Sequence, residues 1–277
     1  MIQNLKQILL LLLEVGGMIS NQFKTQGFEV IPNFLSNDEI QFALKEYNKS
    51  GPTNNENYNL PPCTKKFVYS IISKIQSVIE NIEGIDLWIN GFFTNTETIN
   101  WGWHQDHEPY YALQQTKNYI NMYIPLVKPD PILSGLCVIP LNILDLSEIG
   151  ASRYEPSETG TIVHNDTTGD KFKVSVNIED IKETPKLCPG DLLLIRGGVI
   201  HRTQDSLTSR IAVSIRCTDS TKLISKKMML TGCDYKQNII NSNRYTYNKM
   251  LERFKNKDFI SAGDLFEGEG IWLTATK

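Results

Sequence analysis

Long basic runs are missing from this chain of 277 residues, and its net charge is only -3. A nucleic-acid footprint needs clustered Lys and Arg, so nucleic acid is excluded as the expected partner. Cysteine is sparse: Cys63, Cys137, Cys188, Cys217 and Cys233 are odd in number, widely spaced and form no CxxC. Neither a disulfide framework nor a cysteine-built zinc site follows, and a reducing, cytoplasmic setting is expected. Long apolar runs are also missing. The run Ile8 to Leu13, within "MIQNLKQILLLLLEVGGM", is stopped by Glu14. It falls far short of the ~20 residues that span a bilayer and is short even for a secretory core. We read it as part of a helical extension over residues 1–21, with Met18 as a second candidate start. No membrane span is expected.

What is present suffices for one substantial core: 40% of residues are hydrophobic, which suits a single domain over 1–277. "GFEVIPNFLSNDEIQFALKEYN" opens with a strand over Phe28 to Ile31. Ser36, with Glu39 three residues on, then forms a capping box for a helix. "KSGPTNNENYNLPP" reads as a loop. Lys65 to Ile82 carries apolar residues at helical spacing, predicting a second amphipathic helix. Beyond it the period becomes strand-like. In "YINMYIPL", Ile120, Met122, Ile124 and Leu126 face one way and Tyr119, Asn121 and Tyr123 the other. "RIAVSIRC" repeats the device, with Arg210, Ala212, Ser214 and Arg216 opposite Ile211, Val213, Ile215 and Cys217. "CPGDLLLIRGGVIHRT" is a Pro-Gly turn, a buried strand and a second turn at Gly197-Gly198. The polar stretch 142–184, containing "NDTTGD", is long enough to be a lid-like insertion. Residues 219–277 form a tail, helical around Tyr245 to Lys257. Helices first and then short strands with turns indicate a mainly β fold with flanking helices, best matched by a double-stranded β-helix, the cupin-like jelly roll.

Chemistry concentrates in "WGWHQDHEPYY", Trp101 to Tyr111. His104 and Asp106 are two apart, so on an extended segment both side chains leave one face and can hold one ion. A third donor is needed. Of the other histidines, His107, His164 and His201, only His201 follows a buried strand and a turn, where a ligand is presented at the mouth of a barrel. His107 is offset by one residue and turns to the other face; His164 lies among Asn, Asp and Thr and reads as solvated. Two histidines and one carboxylate are the facial set of non-haem iron oxygenases. Arg210, on the polar face of the next strand, can take a carboxylate in bidentate fashion. Asn121 and Tyr123 offer polar handles on an inner strand; the plain alternative is that they satisfy each other or water. Trp103, Tyr110 and Tyr111 are placed to wall a site, and Arg153 to meet a substrate acid, although aromatics are more often core and an insertion arginine more often solvated.

This ordered set, with "HQD" after an aromatic, the "CPGDLLLI" turn and strand and the opening "GFEVIPNFLS", resembles the phytanoyl-CoA dioxygenase family of Fe(II)/2-oxoglutarate oxygenases, over about Gln22 to Asp219. The resemblance implies that His104, Asp106 and His201 bind Fe(II), that Arg210 binds the distal carboxylate of 2-oxoglutarate and that Thr203 supplies it a hydroxyl. The family arginine usually lies a residue or two further from its histidine, so Arg216 and Arg202 stand as alternatives. The family's usual "PGSH" is absent; "SGLCVIPLN" leads into the insertion instead, and substrate contacts do not carry over there. The resemblance also implies O2 as cosubstrate and succinate and CO2 as products. Related halogenases lack the carboxylate, so Asp106 argues for hydroxylation, or an outcome such as demethylation or desaturation. A small polar or amino-acid-derived metabolite, on a natural-product route, is the expected substrate, because the phosphates of an acyl-CoA favour a basic groove that this chain does not announce; a peptide is the further option. The competing class is a non-oxidative, metal-binding jelly-roll sensor.

Overall fold

The computed structural model describes residues 20–52, 62–98, 100–242 and 244–273. The expected helix over 1–21 and the expected loop at 49–62 fall largely outside them. In chain order the first elements are α1 (Asn21–Gln26), β1 (Phe28–Ile31), α2 (Asn37–Ser50), α3 (Pro62–Ser70), α4 (Ile72–Ile79), β2 (Leu87–Asn95), α5 (Glu108–Tyr111), β3 (Tyr119–Val127) and β4 (Leu136–Val138). The insertion supplies β5 (Ala151–Ser157), β6 (Gly160–Asn165), β7 (Lys171–Val174) and α6 (Ile178–Ile181). Then come β8 (Leu192–Arg196), β9 (His201–Thr203), β10 (Ile211–Thr218) and β11 (Leu223–Ser225). The chain closes with α7 (Lys226–Leu230), α8 (Asp234–Ser242), α9 (Arg244–Phe254), β12 (Phe259–Ser261), α10 (Ala262–Leu265) and β13 (Ile271–Trp272).

The major sheet is antiparallel with the order β1-β8-β3-β10-β2-β13. A smaller β4-β9 pair faces it, widened by bridges from His104 to His201 and from Glu183 to Val138. This is the expected mainly β jelly-roll core with flanking helices. The alternation of β3 and β10 determines what each face meets. Ile120, Met122, Ile124, Leu126, Val213, Ile215 and Cys217 bury against Ile40, Phe67, Ile71, Ile75 and Ile79 of the helical layer. The opposite face, carrying Asn121, Tyr123, Arg210, Ser214 and Arg216, looks into a cavity between the sheets. Burying so many whole side chains contributes about 1.5–3 kcal/mol each before conformational entropy is set against it, so the helical layer holds the major sheet rigid behind the cavity.

Two readings change. The helix expected over 65–82 is two, α3 and α4, parted at Ile71; Ser70 Oγ donates to the Phe67 carbonyl at 2.6 Å, competing with the helical ladder there. The apolar spacing survives because both pieces pack on the same sheet. The insertion carries a three-stranded sheet, β5-β6-β7, and a cluster of its own that includes Trp103, Tyr154, Val163 and Ile178.

Candidate metal centre

His104 and His201 sit on adjacent strands because the His104 N–H donates to the His201 carbonyl and the His201 N–H donates back, both at 2.9 Å. Their rings lie 4.4 Å apart between centroids. Asp106 Oδ1 is 3.9 Å from His104 Nε2 and 3.6 Å from His201 Nε2, and one donor atom from each residue lies within 4.8 Å of the others. Bonds of ~2.0–2.2 Å, usual for imidazole and carboxylate ligands, bring three donors into about this spacing. Each Nδ1 faces a backbone carbonyl, Gly102 O at 2.7 Å for His104 and Val199 O at 3.0 Å for His201. Nδ1 is therefore the protonated nitrogen, and Nε2 carries the lone pair toward the common point.

Burial pushes His104 down to about 3, helped by the charge on His201. Burial also opposes charge on His201, but the hydrogen bond and charge of Asp106 outweigh it and raise His201 above its usual value. Asp106 is held well below the carboxylate range despite burial, by Arg216, His201 and His104. Arg216 Nη2 stands 3.8 Å from Asp106 Oδ1 and its Nε 3.5 Å from Glu108 Oε1, with the guanidinium 4.5 Å over the Phe92 ring. Strand register explains this: Arg216 pairs with Asn121 across β10-β3, so both side chains reach Asp106 from one wall. Asn121 Nδ2 donates to Asp106 Oδ2 at 3.3 Å and Ser214 Oγ donates to Asn121 Oδ1 at 2.7 Å. Oδ1 is thereby left toward the histidines.

The cavity beside the three donors encloses about 130 Å³. Arg210, Thr203 and Tyr123 line it with Leu136. Arg210 is buried, and its Nη1 donates to the carbonyls of Ser134 at 2.9 Å and Gly135 at 3.3 Å. The Tyr123 hydroxyl is buried with no hydrogen-bond partner among the described residues. Thr203 Oγ1 accepts from the Trp101 N–H at 3.2 Å. Asn121, read as a contact to a cosubstrate, lines the cavity and also donates to Asp106 Oδ2. Arg202 points away to Glu179, at 3.2 Å.

The aromatic and insertion residues read as substrate contacts are not among those lining the cavity. Trp103 Nε1 donates to Glu179 Oε1 at 2.6 Å; Tyr110 is half-buried and packs against Gly150; Arg153 stacks 4.0 Å over the Tyr235 ring. His164, read as solvated, is buried, with Nε2 2.8 Å from Glu155, because it sits on β6 with its side chain turned inward. His107 lines the cavity near Glu108 but outside the donor set. The lining residues to which the sequence reading gave no site role are Phe92, Thr94, Thr98, Trp101, Glu108, Leu136 and Ser214. Strand alternation could have found Phe92 and Thr94, which lie two apart on β2.

No family model matches the chain, and no curated protein does. Solved structures match through the fold. The non-heme alpha ketoglutarate dependent epimerase SnoN from nogalamycin biosynthesis is similar with a TM-score of 0.59, 13% identity and coverage of 92% of this chain and 96% of that one. HygX from Streptomyces hygroscopicus, with nickel and 2-oxoglutarate bound, gives a TM-score of 0.51, 13% identity and coverage of 78% and 96%. EctD from S. alaskensis, with 2-oxoglutarate and 5-hydroxyectoine, gives 0.51, 14% identity and coverage of 75% and 79%. Among the described residues no helix is long and apolar enough to cross a membrane.

Proposed function

We propose that this chain is an Fe(II)- and 2-oxoglutarate-dependent dioxygenase that hydroxylates a small polar metabolite, in the manner of the phytanoyl-CoA dioxygenase family. The observation that carries the reading is the convergence of His104, Asp106 and His201 in the lining of a cavity that has Arg210 in its wall. The likeness to the fold of SnoN, HygX and EctD is consistent with it.

His104 and His201 through Nε2, and Asp106 through Oδ1, would hold the iron. Arg210, with the hydroxyls of Thr203 and Tyr123, would take the distal carboxylate of 2-oxoglutarate; a bidentate guanidinium is the side chain that fits a planar carboxylate. The bound iron and cosubstrate supply an oxidation in which one oxygen atom of O2 enters succinate as CO2 leaves and the other enters a substrate C–H bond. The residues of the chain orient that chemistry. Asn121 and Ser214 fix the rotation of Asp106, Arg216 keeps it ionised, and Phe92 and Leu136 exclude water from the cavity.

The test is succinate release across a panel of metabolites, amino acids, acyl-CoAs and peptides, with Asp106→Ala as control. Release that depends on substrate and disappears in the control supports the reading. A folded, iron-binding protein that releases none favours the sensor alternative.

A further inference from the structure

We infer that the substrate presents an uncharged, hydroxylated saturated ring to the metal centre, as a glycoside or cyclitol does, and that this ring stacks on Trp101. The inference deepens the dioxygenase reading and rests on it. The first observation is the cavity's charge. Among the described residues, the arginines and lysines that line it are Arg210 and Arg216. Arg210 is assigned to 2-oxoglutarate, and Arg216 is already matched by Asp106 and Glu108. Among the described residues, an anionic substrate would find no lining arginine or lysine left to neutralise it, and burying an unpaired charge is costly. Of the remaining polar lining, Thr94 and Thr98 offer neutral hydroxyls, and His107 stands 3.9 Å from Glu108.

The second observation is Trp101. Its apolar companions in the lining, Phe92 and Leu136, are buried, whereas Trp101 is 53% exposed. It is nevertheless held in place. Its N–H donates to Thr203 Oγ1 at 3.2 Å and its carbonyl accepts from the Thr203 N–H at 3.0 Å. The indole lies 5.6 Å from the His104 ring, tilted by 39°. An indole face beside a metal ligand, with its backbone pinned and hydroxyls nearby, suits the C–H face of a saturated ring whose hydroxyl groups bond at the rim. A ring seated there brings a C–H beside the three donors, where the proposed oxidation acts.

Two readouts test this. Saturation-transfer NMR on the protein with methyl β-D-glucoside and with myo-inositol reports binding without turnover. Transfer to the ring C–H protons of at least one probe is expected, retained in Trp101→Phe and reduced about fivefold or more in Trp101→Ala, as the loss of one aromatic contact implies. In succinate release, glycosides and cyclitols are expected to stimulate above the rate without substrate. Trp101→Ala should then raise KM about tenfold while kcat changes little, the signature of lost ground-state binding. The inference is overturned if neither probe receives transfer, if Trp101→Ala leaves transfer unchanged, or if amino acids or acyl-CoAs are the substrates that stimulate. Slow 2-oxoglutarate turnover without any substrate separates the two failures: if present, only the ring inference falls; if absent with every compound, the dioxygenase reading falls with it.

Discussion

Asp106 is the residue on which the site's electrostatics turn: two imidazoles and the Arg216 guanidinium face Oδ1, and Asn121 holds Oδ2. Asn121→Ala removes the hydrogen bond that sets the carboxylate's rotation. Outer partners of this kind are typically worth about 10–100-fold in metal affinity. A Co(II) or Mn(II) titration should show a loss in that range with the fold intact; unchanged affinity would mean that Oδ2 needs no support. The protons give a second expectation. His201 is raised above its ordinary value by Asp106, so in the metal-free chain its stabilising contribution is complete below the unfolded imidazole value and fades as pH rises through the folded one. A metal must displace that proton, whereas His104, pushed down to about 3, holds none near neutrality. Affinity should therefore fall by up to about tenfold for each pH unit below the His201 value and level off above it. A profile flat across that range would contradict the assignment. The spacing of His104 and Asp106 and the turn before His201 were legible because they are local. The Arg216 contact was not, since it depends on which residue of β3 stands opposite it on β10.

At the scale of elements, Glu179 at the start of α6 ties the insertion to the barrel. Its carboxylate accepts from Trp103 Nε1 and pairs with Arg202 of β9. Glu179→Ala should loosen the β5-β6-β7 sheet, seen as faster amide exchange over residues 151–174, while leaving the three metal donors in place; unchanged exchange would show that the apolar cluster around Tyr154, Val163 and Ile178 holds the insertion alone. Much at this scale could be read in advance. The strands β1, β3, β8 and β10 and the Ser36 capping box carry strong periodicity or a chemical cap. The break at Ile71 has no Pro or Gly to announce it. The insertion's strands stayed hidden because they are short and polar and pair chiefly with one another. The β11-β12 pair was also passed over, as three-residue strands offer too little alternation to register.

For the whole molecule, the arrangement of layers decides what the site can do. The helices cover one face of the major sheet, leaving the other to close on the β4-β9 pair and the segment around His104. The cavity between the sheets is then lined by the three donors and by Arg210. The fold class could be read from the order of helices and strands, but the content of the cavity could not, because its walls combine alternate residues from strands far apart in the chain. In the proposed function the three donors hold one ion with coordination positions still open to 2-oxoglutarate. The most direct measurement is the visible charge-transfer band on adding Fe(II) and then 2-oxoglutarate to the protein without oxygen. The account predicts that the band develops with one iron per chain and is lost in His201→Ala. A folded protein that binds Fe(II) yet shows no band with 2-oxoglutarate would contradict it.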